Sequence, residues 1–202
     1  MIEVNDQDGL LIVTLNRPDK ANSLTEAMLS DLAEVVEGAD PKALILIGAG
    51  EKVFSAGADL EEARAGLATS PLWERVSGGL AAMQCPTIAA LNGTLAGGAF
   101  GMALACDVRV GVLGASFFYP VARLGFLPQP SDPGRLAALV GPARAKMLLM
   151  SGAKWTAEEA LNFGLIERLV TRENLMSSAR GLCEPALQGD AANVRAIKAM
   201  VR

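Results

Sequence analysis

Short apolar runs of strand length, separated by stretches of helical periodicity, restrict this chain more than any other feature. Residues 43–47 (ALILI) and Thr87–Leu91 (TIAAL) are continuous apolar runs, Leu10–Leu15 (LLIVTL) is rich in β-branched residues, and Val108–Val112 adds a fourth run. Unbroken hydrophobicity suits strands buried on both faces, which is how parallel sheets covered by helices are built. The helical stretches lie where crossovers are needed. Leu24, Met28, Leu32, Val35 and Val36 recur at helical spacing after Ser23, and Ser23-x-x-Glu26 has the form of a capping box. Residues 73–83 read as a further helix. In the last third, Pro142 stands where a first-turn proline would, Thr156-x-x-Glu159 is a second capping box, Gly164 can stop that helix, and residues 165–170 read as a short edge strand. Strands alternating with helices predict an α/β architecture with a largely parallel sheet and right-handed crossovers.

A chain of 202 residues predicts one domain spanning 1–202, with a core to about residue 170 and a short helical segment over 171–202. The formal charge of −4 supplies no basic footprint, so nucleic acid is not an expected partner. Cys85, Cys106 and Cys183 are far apart and odd in number, which matches neither a disulfide framework nor a metal or redox motif and fits a reducing cytoplasm. No span of apolar residues is long enough for a membrane, and the N-terminus lacks a basic region followed by an apolar one. Histidine is absent altogether, which removes Ser-His-Asp and Cys-His nucleophile systems, His-x-x-His metal sites and imidazole acid–base catalysis together.

Two segments carry potential chemistry. Phe54-Ser55-Ala56-Gly57-Ala58-Asp59-Leu60 is a loop of small residues between a buried strand and a charged, helical stretch, so a ligand can approach its backbone N–H groups. By composition alone, a strand-to-helix turn capped by Asp59 explains it as well. In the run from Asn92 to Asp107, the pair Gly97-Gly98 opens a helix of small residues. A helix start presents unpaired N–H groups suited to a developing negative oxygen, and close helix packing is the bland alternative. The glycine spacing matches neither a P-loop nor Gly-x-Gly-x-x-Gly.

Together, in this order, the two segments resemble the crotonase family, the enoyl-CoA hydratase/isomerase superfamily. The resemblance extends to Asn16-Arg17-Pro18-Asp19-Lys20-Ala21-Asn22-Ser23-Leu24, to Ala105-Cys106-Asp107-Val108-Arg109-Val110, to Leu139-Val140-Gly141-Pro142 and to Ala157-Glu158-Glu159-Ala160, so it covers roughly residues 2–170. It implies a spiral of repeated strand–strand–helix units with a helical C-terminal part, a CoA thioester as ligand and no separate cofactor or metal. It also implies a homotrimer or pair of trimers, and fatty-acid metabolism as the setting. Carried over by motif, the N–H groups of Ala58 and Gly98 form the oxyanion hole. Lys20, Ala21, Leu24, Ala56, Asp59, Leu60, Gly97, Gly101 and Val121 fall along the CoA and acyl path, with Lys20 facing a CoA phosphate.

The chain departs from the family where hydratases place two glutamates, since those positions read Gly101 and Val121. The pair normally positions water and moves its proton, so a standard hydratase mechanism is not expected. Residues 127–135, with three prolines, replace a glycine-rich run and predict a stiffer loop. In that loop Asp132 is a candidate substitute acid or base, although Ser131 and Asp132 before Pro133 equally suit helix capping. Tyr119 is a weaker candidate, read as a half-buried strand residue with a phenol near its usual value of about 10. The segment ending at Arg202 is shorter than the family's C-terminal helices. Two readings stay open: a lyase or isomerase with a non-standard acid or base, and a protein that binds acyl-CoA without turning it over.

Overall fold

A computed structural model describes residues 1–201. Its ten strands are β1 (Ile2–Gln7), β2 (Leu10–Leu15), β3 (Ala43–Gly48), β4 (Val53–Ser55), β5 (Thr87–Leu91), β6 (Thr94–Ala96), β7 (Val108–Val112), β8 (Ser116–Phe118), β9 (Lys154–Thr156) and β10 (Arg168–Val170). They form two sheets. The larger has the order β1-β2-β3-β5-β7-β10, parallel throughout except for the β1–β2 hairpin; the smaller has the order β4-β6-β8-β9, parallel except at β9. From β3 to β8 successive strands alternate between the sheets, and helices follow each pair: β3 and β4, then Leu60–Arg64 and Leu72–Ala82; β5 and β6, then Phe100–Ala105; β7 and β8, then Asp132–Val140 and Pro142–Ser151. This is the spiral of strand–strand–helix units, and it accounts for the apolar runs, because β2, β3, β5 and β7 are buried along nearly their whole length.

The spiral sets three strand ends side by side. β4, β6 and β8 are parallel neighbours, with Ser55 opposite Leu95 and Ala96 opposite Phe118, so their C-terminal ends lie together. Ligands of α/β proteins gather at such ends because the chain leaves the sheet there and exposes loop backbone. Buried polar groups hold the turns leading to them. Asn22 donates to the carbonyls of Ala49 and Val53, while Asn92 accepts from Gly48 N–H and donates to Gly50. Arg109, only 2% exposed, donates to the carbonyls of Leu165, Ala103 and Cys106 and pairs with Glu167, which ties β7 to the approach of β10.

Several local expectations are corrected. The first helix is Glu26–Gly38 and its cap is Thr25, whose oxygen accepts from Met28 N–H; the Ser23 oxygen and carbonyl are taken instead by Arg17. Ser131 takes the N-cap position of the helix Asp132–Val140 as read, but its side chain makes no capping bond and donates to Glu74 instead; Asp132 is the first helical residue, turned toward Tyr119. Tyr119 itself is 1% exposed rather than half-buried. The edge strand within residues 165–170 is confined to Arg168–Val170, whereas the Thr156–Glu159 capping box and the Gly164 stop form as read. Beyond it the helix Leu175–Gln188 buries Leu175, Ala179, Cys183 and Ala186, and Ala191–Met200 lies outside it, tethered by Lys198 to Asp107 and the Cys85 carbonyl. No helix among the described residues is long and apolar enough to cross a membrane.

Candidate functional site

The loop after β4 is held by its backbone. Ala56 N–H donates to Ala21, Gly57 N–H to the Ser55 hydroxyl, Asp59 N–H to Leu24, and Leu24 N–H returns a bond to Gly57. Ala58 N–H lies amid these bonded groups and has no partner among the described residues. The chain after β6 enters a single 3-10 turn, Gly97–Ala99, continued by the helix Phe100–Ala105, so Gly98 N–H belongs to the first turn and has no intrahelical acceptor. The two loops meet backbone to backbone. A Cβ at Gly57, whose φ is +89°, would lie 2.9 Å from the Ala96 carbonyl and 3.1 Å from Gly98 N, so only glycine permits the approach.

Ala58 and Gly98 line one small pocket, whose cavity volume is about 130 Å³. Its walls are apolar: Trp73, Phe118, Val121, Leu124, Phe126 and Leu127. Each of its polar side chains makes a hydrogen bond within the protein. Trp73 Nε1 donates to the Leu67 carbonyl at 2.8 Å, Gln129 Nε2 to Ala68 at 3.0 Å and Tyr119 Oη to Asp132 at 2.8 Å. No charged side chain among the described residues lines it. An adjoining groove shares Ala56, Ala58 and Leu60 with this pocket and carries Arg17 and Lys20. Arg17 donates to Asp59 at 2.8 Å, which with the N–H groups of Glu61 and Glu62 holds the Asp59 carboxyl below its usual range, the Arg17 bond being the largest influence. Lys20 makes no ion pair among the described residues.

The residues expected from the sequence divide on this geometry. Ala56, Ala58, Leu60, Gly97, Gly98 and Val121 line the pocket, while Lys20 and Asp59 line the groove, Asp59 with its carboxylate committed to Arg17 and to capping the helix Leu60–Arg64. Leu24 is a correction: its side chain is wholly buried, and it serves the site through its backbone, as Ala21 does through its carbonyl. Gly101 and Asp132 are also displaced from the pocket surface. Both are buried, and a Cβ at Gly101 would lie 2.8 Å from Asp132 Oδ1, so the aspartate occupies the space into which a side chain at position 101 would project. Asp132 accepts from Tyr119 on Oδ2, and its Oδ1 has no partner. Burial, reinforced by Glu74, outweighs the Tyr119 bond and Arg135 and pushes this carboxyl up to about 7; burial likewise pushes the Tyr119 phenol up.

Trp73 was not legible as a site residue, although its ring lies against Gly98, where an added Cβ would be 3.1 Å away. Nothing in its helical periodicity distinguishes this wall position from ordinary core.

The enoyl-CoA hydratase/isomerase family model matches residues 5–202. The carnitinyl-CoA dehydratase of Citrobacter koseri is 37% identical over 203 residues, covering 96% of this chain and 77% of that protein. Among solved structures, an enoyl-CoA hydratase from Bacillus anthracis superimposes with a TM-score of 0.91 at 33% identity over 99% of this chain and 81% of its own. Pseudomonas aeruginosa DspI superimposes with a TM-score of 0.90 at 31% identity over 99% and 85%. With a matching family model, close relatives and the shared spiral, the chain belongs to the enoyl-CoA hydratase/isomerase family, the crotonase superfamily.

Proposed function

We propose that this protein binds an acyl-CoA thioester with its carbonyl oxygen between the N–H groups of Ala58 and Gly98, and stabilises an enolate with an acid–base group other than the family's two glutamates. The carrying observation is the pair of unpartnered N–H groups facing one apolar pocket from loops in backbone contact. Fixed donors in a dry site favour the oxygen more as it gains charge, so they stabilise the enolate more than the starting thioester. The polar groove with Lys20 suits the CoA portion, and the apolar pocket suits an uncharged acyl chain. Asp132, near neutrality in its proton affinity, is the carboxyl available in place of glutamates at positions 101 and 121. By the same family resemblance the active form is a trimer.

The test is deuterium uptake at the carbon next to the carbonyl. Butyryl-CoA incubated with the protein in D₂O should gain mass by mass spectrometry, while calorimetry on the same samples reports binding. Uptake needs no knowledge of the natural reaction, because any enolate that forms and is reprotonated exchanges its proton. Binding without uptake would make the chain an acyl-CoA binder and refute the enolate, and no binding would refute the ligand class.

A further inference from the structure

Of the pocket-lining side chains, only Tyr119 bonds to the Asp132 carboxyl. The tyrosine follows β8 directly and lines the pocket beside Gly98 and Val121, whereas Asp132 lies behind it and has no exposed surface. The Tyr119 ring is stacked on Phe100, with centroids 5.3 Å apart and planes inclined by 18°, and Phe100 begins the helix that Gly97 and Gly98 open. The phenol is thus fixed relative to one of the two N–H donors. Its Oη donates to Asp132 Oδ2 at 2.8 Å, and Gln129 N–H points to Oη at 3.5 Å.

The Asp132 carboxyl is equally well fixed. Its N–H donates to the Gln129 carbonyl at 3.0 Å, and Gln129 is anchored to Ala68. Ser131 is held by Glu74 through its N–H at 2.9 Å and its hydroxyl at 2.6 Å. A wholly buried carboxyl with one oxygen unpartnered, beside Gly101 and directed at a pocket-lining phenol, has no structural need that an apolar residue would not meet better.

We infer that Tyr119 is the catalytic residue that exchanges a proton with the carbon next to the thioester carbonyl, and that Asp132 is the positioning residue that accepts and returns the phenol's proton. This assignment rests on the enolate reading above and deepens it. With Asp132 ionised, Tyr119 Oη takes a proton from that carbon as its own proton passes to Asp132 Oδ2. The electrons of the broken C–H bond form the carbon–carbon double bond of the enolate, and the carbonyl electrons move to the oxygen held by Ala58 and Gly98. Reversal gives the proton back to the same carbon, or to the carbon two positions further when the acyl chain has a double bond between. No water enters the balance, so the step supports isomerisation of a 3-enoyl thioester to the 2-enoyl form rather than hydration.

The experiment compares wild type, Tyr119→Phe and Asp132→Asn for deuterium uptake into butyryl-CoA across pH, with calorimetric affinity for butyryl-CoA. General acid–base groups contribute about 10²–10⁴-fold, so Tyr119→Phe should lose uptake by about a hundredfold or more while affinity changes by less than roughly threefold. Asparagine can still accept the phenol's bond but not its proton. Asp132→Asn should therefore lose uptake as well, together with the wild type's rise in rate as pH increases, which reports ionisation of Asp132 among Tyr119, Glu74 and Arg135. Uptake in Tyr119→Phe at the wild-type rate overturns the assignment and leaves the enolate reading standing. Asp132→Asn with wild-type rate and pH profile overturns the role of Asp132. Absence of uptake in the wild type removes the enolate reading and this assignment with it.

Discussion

Asp132→Asn is expected to remove a pH dependence of stability that the buried carboxyl imposes. Burial places the folded-state value at about 7, against 3.8 for the free side chain. Below about pH 3.8 both folded and unfolded chains carry the proton, and the neutral carboxyl's contribution is fully present. Between about 3.8 and 7 the unfolded chain has released the proton and the folded chain retains it, so the folded state binds one proton more and stability falls as pH rises. The slope is about 1.4 kcal/mol per pH unit, and the loss accumulated through the folded value is on the order of 4 kcal/mol. Carboxyls held low in the fold, such as Asp59, act in the opposite direction, losing stability as pH falls, and cancel in the difference between the two proteins. Urea unfolding followed by circular dichroism at pH 4 to 8 and constant protein concentration measures it. Wild-type stability minus that of the variant should decline by about that amount, chiefly between pH 4 and 7. A difference that stays flat would refute a carboxyl kept neutral by burial.

Other perturbations read other parts of the molecule. Gly57→Ala places a Cβ 2.9 Å from the Ala96 carbonyl at a φ of +89°; it should spread the two loops and cut deuterium uptake by about 10²–10³-fold, with a stability loss of about 1–3 kcal/mol, and unchanged uptake would remove the close approach from the mechanism. Arg109→Met strands three buried carbonyls and Glu167, so urea unfolding should show a loss of about 3–5 kcal/mol, and a loss below about 1 kcal/mol would show the network to be dispensable. Burial pushes the thiols of Cys85 and Cys183 up to about 11 and that of Cys106 up to about 12. A chromogenic disulfide reagent at pH 8 should therefore react slowly with folded protein and quickly with all three thiols in denaturant, and rapid labelling of the folded chain would contradict their burial.

The larger sheet was legible because burial on both faces writes itself into consecutive apolar residues: β2, β5 and β7 have the bounds read for them, and β3 is longer by Gly48 alone. The smaller sheet was not. β4, β6, β8 and β9 have three residues each, too few to display any period. β1 escaped for another reason, being an exposed, polar edge strand. A signal was nonetheless present in Asp8-Gly9, whose φ angles of +56° and +93° form the two-residue turn that joins β1 to β2. At the site, the loop of residues 54–60 and the Gly97-Gly98 pair were visible as motifs, and Asp132 as an acid in an altered loop. The link from Asp132 to Tyr119 was not visible, since thirteen residues of separation say nothing about a 2.8 Å hydrogen bond made in the fold.

Gly101 and Asp132 are best understood as one substitution distributed over two segments. The space behind Tyr119 can receive a carboxyl from the helix Phe100–Ala105 or from the start of the helix Asp132–Val140, but not from both. An added Cβ at position 101 would already be 2.8 Å from Asp132 Oδ1, and a complete glutamate would overpack the site and set two carboxyls against each other in a place without solvent. Glycine at 101 is therefore the condition for aspartate at 132. The exchange changes what the carboxyl can reach: from 132 it touches the phenol and not the pocket, so on the assignment inferred above its proton travels through Tyr119. A glutamate extending toward substrate can hold a water there, whereas a carboxyl shielded by a stacked aromatic ring cannot. On the enolate reading proposed above, the N–H groups of Ala58 and Gly98 then serve proton movement within the acyl chain, without the water that hydration requires.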